Sequence, residues 1–336
     1  MREPVFTGAC TAIITPFDQS GAVNYDQFGK LIDEQVERGV DAICVCGTTG
    51  ECSTLTIREH IAVVEYCAKR VNGRVKVIAG AGSNDTTAAV YLSQHAQDSG
   101  VDALLHVTPY YNKASQTGLI KHYEYIADRV ELPIILYNVP SRTGVSFTAE
   151  TYKVLSQHPN INGVKEASGN FSLLAHTLAI CGDDFYVWSG NDDQVVPMMS
   201  LGAKGVISVV SNLAPELMTR MTHLCLEGKF QEAAALQLGY MDFIDALFLE
   251  VNPIPIKAAM NLAGYDIGSL RLPLCDMSDG PLETLRQSMV KAGLKLLYLS
   301  HLTPDITVIF DVDVHLFDHV RRKFRPVLID FLEFFV

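Results

Sequence analysis

The sharpest chemical signal in this chain is a lysine set directly after apolar residues in a short β-rich run. Lys165 follows Ile161-Asn162-Gly163-Val164 and precedes Glu166. In a buried strand its ammonium would sit in a partly dry interior, where desolvation disfavours charge. An ordinary lysine, with a pKa near ~10.4, is a poor nucleophile at neutral pH; a buried one can fall by several units and attack a carbonyl. A lysine paired with Glu166 or another strand-end carboxylate would leave the same mark, since ion-pair networks imitate catalytic signals.

Imine chemistry also needs a group that moves protons during carbinolamine formation, dehydration and carbon–carbon bond formation. Tyr137, one apolar run earlier, suits that role, because a phenol linked by hydrogen bonds to Thr49 and to a second phenol shuttles protons without a fixed charge. Taken singly, a tyrosine is more often a core-edge residue with one satisfied hydroxyl. Arg142 has the fork geometry for a carboxylate, although a lone loop arginine is usually solvated. A small 2-oxo acid is the substrate class that such a set fits.

The elements that would position these residues recur along the chain. Eight short apolar runs read as strands: Val5–Pro16, Asp41–Thr48, Val75–Ala81, Asp102–Pro109, Pro133–Val139, Ile161–Glu166, Phe185–Ser189 and Gly205–Val210. Between them, segments such as Tyr25–Arg38, Ile57–Arg70 and Thr86–Ser99 carry apolar residues at three- and four-residue intervals, the helical period. Eight repeated strand–helix units predict an α/β fold, a closed (β/α)8 TIM barrel, with the site at the carboxyl ends of the strands. An open doubly wound sheet is the alternative. Its glycine fingerprint is not met, because Asp85 stands where the third glycine after Gly80 and Gly82 should be.

Four strand ends then carry the polar residues: Gly47-Thr48-Thr49-Gly50-Glu51, Pro109-Tyr110-Tyr111-Asn112-Lys113, Tyr137 to Gly144, and Gly163 to Ser168. In the first, the glycines are expected to let the backbone turn tightly. The ends of runs seven and eight, Ser189-Gly190-Asn191-Asp192 and Val210-Ser211-Asn212, lack the glycine-rich anion loop of phosphate-handling barrels. None of the ends supplies a histidine cluster for a metal-dependent aldolase.

From about Phe230, helical patterns around Glu232–Leu249, Ile254–Ala263 and Pro281–Leu297 replace the strands. The expected organisation is a barrel over residues 1–228, a small helical appendage over 229–297 and an extension over 298–336. That extension holds six of the 15 phenylalanines, a basic cluster at Arg321, Arg322, Lys323 and Arg325, and the pair His315 and His319; it is expected to be dispensable for chemistry.

Bulk properties narrow the function further. The chain of 336 residues is 48% hydrophobic and 19% charged, which suits a globular protein with a sizeable core. A formal net charge of -12 argues against a nucleic-acid surface or a polybasic membrane patch. No apolar run approaches the ~18 residues of a membrane span. The eight cysteines show no CxxC pair and the ten histidines no metal-type cluster, so reduced thiols in a cytoplasmic, metal-free protein are expected.

Together, GTTGE, PYYNK, YNVPSRTG and GVKEAS, followed by SGND and NPIPIK, closely resemble the dihydrodipicolinate synthase (4-hydroxy-tetrahydrodipicolinate synthase) family of the N-acetylneuraminate lyase superfamily, from about Phe6 to Leu297. The resemblance implies condensation of pyruvate with L-aspartate 4-semialdehyde in the diaminopimelate route to lysine, with no cofactor beyond a covalent lysine imine. It implies that Lys165 forms the imine, that Tyr137 transfers protons, and that Thr49 and Tyr111 complete the relay, Tyr111 crossing a tight dimer interface within a homotetramer. Thr48 and the Thr49 backbone would hold the pyruvate carboxylate, Arg142 the carboxylate of the aldehyde, and Gly190 and Ile207 would line the pocket.

Sister aldolases for N-acetylneuraminate or 2-keto-3-deoxygluconate share the lysine and the tyrosine, and a catalytically silent binding paralogue is the alternative from another class. The double threonine, Tyr111 and Arg142 favour the synthase. His60, Asn84 and Tyr110 match positions through which many members bind lysine as an effector. Ala88 replaces a glutamate of that set and Ile57 a histidine, so weak or absent feedback inhibition is expected.

Overall fold

In the computed structural model, which describes residues 2–296, eight parallel strands close into a barrel in chain order. They are β1 (Gly8–Ala12), β2 (Ala42–Val45), β3 (Lys76–Gly80), β4 (Ala103–Val107), β5 (Ile134–Asn138), β6 (Ile161–Glu166), β7 (Tyr186–Ser189) and β8 (Gly205–Ser208). The ring closes where β1 pairs with both β2 and β8. All but β6 are shorter than their apolar runs; in β1 to β5 and β8 the last residues of the run leave the ladder to form the turns of the mouth. The extension expected at 298–336, including its histidine pair and basic cluster, lies outside the described residues.

Parallel strands buried on both faces need apolar side chains in both directions, and two cores result. The outer one lies between strands and helices and takes residues such as Ile43, Leu104, Leu136 and Val164. The inner one fills the barrel with Cys10, Cys44, Leu105, Ile135, Tyr137, Trp188 and Ile207. Phe6, just before β1, stacks on Trp188 with ring centroids 5.3 Å apart, and Trp188 Nε1 donates to the Phe6 carbonyl at 3.1 Å. This bulk plugs the amino-terminal end of the barrel.

Local sequence sets the helix starts. Thr56 and Glu59 form a reciprocal capping box at the head of Ile57–Val71, which turns Val63, Val64, Cys67 and Val71 toward the core. Asp85 caps the helix Thr86–Asp98 by accepting from Thr87 N at 2.9 Å, which explains an aspartate where a dinucleotide fold would want glycine. The single helical run expected over Glu232–Leu249 is two helices, Phe230–Gly239 and Met241–Ala246, interrupted at Tyr240, whose φ of -109° and ψ of 7° break the helical path. The later helices Ile254–Leu262 and Asp279–Lys291 pack on each other, and the first also reaches the exit of β8. The segment before it therefore comes to the mouth of the barrel.

Candidate active site

The strand register sets Lys165 of β6 beside Tyr137 of β5 and Trp188 of β7. Because side chains alternate along a strand, Lys165 and Glu166 face opposite ways. Lys165 is 6% exposed, with Nζ 4.4 Å from the centroid of the Tyr137 ring. Glu166 turns outward and accepts from Asn138 Nδ2 at 3.0 Å, Tyr152 OH at 3.1 Å and Ser168 N at 2.8 Å. Burial pushes its carboxyl above the ordinary range, opposed by those hydrogen bonds. The pairing of Lys165 with Glu166 that the sequence left open does not occur, and no carboxylate among the described residues forms an ion pair with Lys165.

A second buried lysine makes the contrast. Lys257 is 1% exposed, but its Nζ lies 2.6 Å from Glu51 Oε1 and 3.1 Å from the Ser269 carbonyl. Burial pulls its pKa down and the adjoining Glu51 carboxylate opposes that, holding the ammonium as a charged anchor. Of the two, only Lys165 lacks an ion-pair partner among the described residues.

Gly190, at the end of β7, lies against the lysine stem. A Cβ added there would stand 3.1 Å from Lys165 Cε and 2.7 Å from the Ala167 Cβ, so the lysine reaches its position because this residue has no side chain. Ile207 lies on β8 in the inner core, paired with Cys10 of β1. Between them Asp192 is buried, and its Oδ2 accepts from Val209 N at 2.9 Å and Val210 N at 3.2 Å, fixing the exit of β8. Burial pushes its carboxyl above the usual range, with the Lys165 charge acting on it in the opposite sense.

The turn after β2 differs in detail from the sequence expectation. Its left-handed positions are Cys46 and Glu51, with φ of 53° and 54°, and not the glycines. Gly50 is needed for closeness, since a Cβ would meet the Ile13 carbonyl oxygen at 3.1 Å. Thr48 is half-buried and Thr49 buried. The Thr49 hydroxyl accepts from Asn252 Nδ2 at 3.0 Å, and no hydrogen bond joins it to Tyr137 among the described residues. Arg142 stands on a single helical turn, Pro140–Thr143, and donates to the Asn252 carbonyl at 3.0 Å. It is exposed at the rim, whereas Lys165 is deep.

Tyr111 is 90% exposed and held at a left-handed φ of 72°, so within one chain it is not brought to Tyr137. The three positions matched to an effector pocket lie on the β3 and β4 side. Asn84 Nδ2 donates to the Tyr110 carbonyl at 3.2 Å. His60 is buried with Nε2 2.7 Å from the Gly80 carbonyl, and burial lowers its pKa.

Reasoning from sequence missed Asn252, Lys257 and Asp192. Asn252 and Lys257 sit in NPIPIK, the one motif not at a strand end, and Asp192 follows Gly190 in SGND. Among the described residues no group of three or more His, Cys, Asp or Glu is placed to hold a metal ion, and no helix is long and apolar enough to cross a membrane.

Comparison with known proteins agrees with this geometry. Residues 5–292 match the model of the dihydrodipicolinate synthetase family. A 4-hydroxy-tetrahydrodipicolinate synthase from Acetivibrio thermocellus is 50% identical over 294 residues, covering 88% of this chain and 100% of that protein. The crystal structure of dihydrodipicolinate synthase from Aquifex aeolicus superposes with a TM-score of 0.85 at 44% identity, over 87% of this chain and 99% of that one. The Acinetobacter baumannii enzyme, described as chloride inhibited and complexed with pyruvate, gives 0.84 at 40% identity, over 86% and 99%. This chain belongs to the dihydrodipicolinate synthetase family.

Proposed function

We infer that this protein condenses pyruvate with L-aspartate 4-semialdehyde to 4-hydroxy-tetrahydrodipicolinate, the diaminopimelate route to lysine. The observation that carries the reading is Lys165: buried beside the Tyr137 ring, without a carboxylate partner, its stem fitted against Gly190. Its amine adds to C2 of pyruvate, and the carbinolamine loses water to give the imine. Loss of a methyl proton gives an enamine, whose carbon attacks the aldehyde of the second substrate. The amino group of that substrate then displaces Lys165 from C2, which closes the ring and frees the enzyme.

Tyr137 moves the protons of these steps, together with Thr49 at the β2 turn. Thr48 and the Thr49 backbone hold the pyruvate carboxylate, and Gly190 and Ile207 line the pocket. Arg142, at the rim, takes the carboxylate of the semialdehyde. The reading carries with it a cytoplasmic enzyme assembled as a tetramer of two tight dimers. An exposed Tyr111 on a strained backbone suits a residue that works in a neighbour, so the partner subunit's Tyr111 completes the relay.

Borohydride reduction in the presence of pyruvate tests the reading. The Lys165 peptide gains the mass of a reduced pyruvyl group, and turnover requires L-aspartate 4-semialdehyde. Labelling that persists in Lys165→Ala overturns the assignment of the nucleophile. Arg142→Ala retains the pyruvate adduct and weakens use of the semialdehyde by roughly ten- to a hundredfold; equal loss of both makes Arg142 structural.

A further inference from the structure

Asn252 lies 203 residues from Thr49 and 110 from Arg142 in the chain, yet it touches both. Its amide nitrogen donates to the Thr49 hydroxyl at 3.0 Å, and its main-chain carbonyl accepts from Arg142 at 3.0 Å. The side chain is buried, and Oδ1 has no partner among the described residues. Its backbone is fixed by a turn, Ile254 N to the Val251 carbonyl at 2.9 Å, and by the following helix, whose Lys257 is locked on Glu51 of the same β2 turn. Asn252 is thus a rigid bridge between the floor of the mouth and its rim.

A hydroxyl has one proton and two lone pairs. When Thr49 Oγ1 accepts from the amide, its own proton is left to donate elsewhere, and the adjoining mouth is where a substrate carboxylate needs a donor. We propose that Asn252 is a positioning residue that acts through Thr49, setting the polarity of that hydroxyl toward pyruvate while its carbonyl seats Arg142 for the second substrate. The proposal rests on the assignment of pyruvate to the Lys165 site.

The conservative variant Asn252→Asp separates these roles, because it keeps the size and the main-chain carbonyl but turns the donor into an acceptor. Thr49 must then donate back to the aspartate, and the mouth loses its proton. The expected result is a rise in the KM for pyruvate of about tenfold, with the KM for the semialdehyde changed much less. Thr49→Val should raise the KM for pyruvate by a similar factor, beside the loss of kcat expected when a relay hydroxyl is removed, and Thr49→Val combined with Asn252→Asp should raise that KM no further, since both remove the same hydroxyl donor. The ratio of variant to unmodified activity should recover as pH falls, when the protonated aspartic acid again offers a donor. A residue that merely supports the fold would move neither this ratio nor the split between the two KM values.

Equal rises in both KM values, additive effects in the double variant, or an Asn252→Asp enzyme like the unmodified one would each overturn the proposal. Asn252→Ala, measured in the same way, checks that an effect of Asn252→Asp is not the aspartate charge drawing Arg142 away; an unchanged pyruvate KM in Asn252→Ala overturns the proposal as well. Absence of a borohydride adduct in the unmodified protein is a different failure: it removes the Lys165 reaction, and the positioning role with it.

Discussion

Lys257 and Glu51 are 206 residues apart in the chain, yet their charged atoms meet at 2.6 Å with both side chains withdrawn from solvent. Arg271 N also donates to Glu51 Oε2 at 3.1 Å, so the carboxylate binds two parts of the carboxyl-terminal region. This contact ties the β2 turn, and with it Thr48 and Thr49, to the helices beyond the barrel. Removing one member of a buried pair leaves an uncompensated charge, which typically costs about 3–5 kcal/mol. Lys257→Met should therefore lower the melting temperature by several degrees and reduce pyruvate adduct formation. Adding Glu51→Gln to it should restore part of the stability. A single variant that melts like the unmodified protein would show that solvent reaches the pair.

Gly190 offers a sharper test of access to the nucleophile. Alanine would place its Cβ 2.7 Å from the Ala167 Cβ, which cannot swing aside, and 3.1 Å from Lys165 Cε, which can. The strain resolves by displacing the lysine stem from beside Tyr137. Gly190→Ala should remain folded, at a cost of about 1–3 kcal/mol for overpacking, and lose most borohydride-trapped adduct. Full labelling in the variant would mean that the lysine reaches pyruvate without this clearance.

The contrast between these residues also shows what could be read from the sequence. The eight strands were legible because parallel strands buried on both faces must be short apolar runs, and Lys165, a charge in such a run, was conspicuous for the same reason. Tyr137, Thr48, Thr49 and Arg142 followed from their places at strand ends. The helix Phe171–Cys181 was not legible: Leu173, Leu174, Ala175, Leu178, Ala179 and Ile180 spread apolar surface around most of its circumference, which hides a helical period. Asn252, Lys257 and Glu51 were beyond sequence reasoning because each gains its meaning from a partner more than 200 residues away. No local pattern records that a lysine in Ile254–Leu262 neutralises a carboxylate in the β2 turn.

A pair of histidines outside the site should dominate part of the acid response. His106 and His122 are buried near Tyr123, with His106 Nε2 3.0 Å from Ser93 Oγ and His122 Nδ1 2.8 Å from Thr86 Oγ1. Burial pushes His106 down to about 3, with His122 adding to that shift, and pushes His122 down to about 4, with Asp85 acting in the other direction. In the unfolded chain a histidine takes up its proton below about 6.5. Stability from His122 is thus complete above that pH and is lost as pH falls from about 6.5 to about 4, on the order of 3 kcal/mol in all. The raised carboxyls of Glu166 and Asp192 act in the opposite sense, so the difference between variant and unmodified protein is the useful quantity. His122→Asn, whose amide can replace Nδ1 toward Thr86, should flatten the fall in denaturation midpoint between pH 6.5 and 4. A parallel fall in both proteins would place the acid sensitivity elsewhere.

Feedback by lysine should be weak or absent, for reasons that the geometry around the matched positions strengthens. An effector with two ammonium groups and a carboxylate needs charged or hydrogen-bonding partners that are not already committed. His60 is buried, its Nε2 engaged with the Gly80 carbonyl, and burial lowers its pKa. Asn84 spends an amide proton on the Tyr110 carbonyl. Ala88, half-buried beside them in the helix Thr86–Asp98, offers a methyl where a carboxylate would hold an ammonium, and Ile57 stands 56% exposed in place of an imidazole. Losing one charge-assisted hydrogen bond typically costs about 1.5–3 kcal/mol, or roughly ten- to a hundredfold in affinity. Titration of lysine into the turnover assay measures this directly. Half-inhibition at submillimolar lysine would refute the expectation, whereas sensitivity gained in Ala88→Glu would identify the missing carboxylate as its cause.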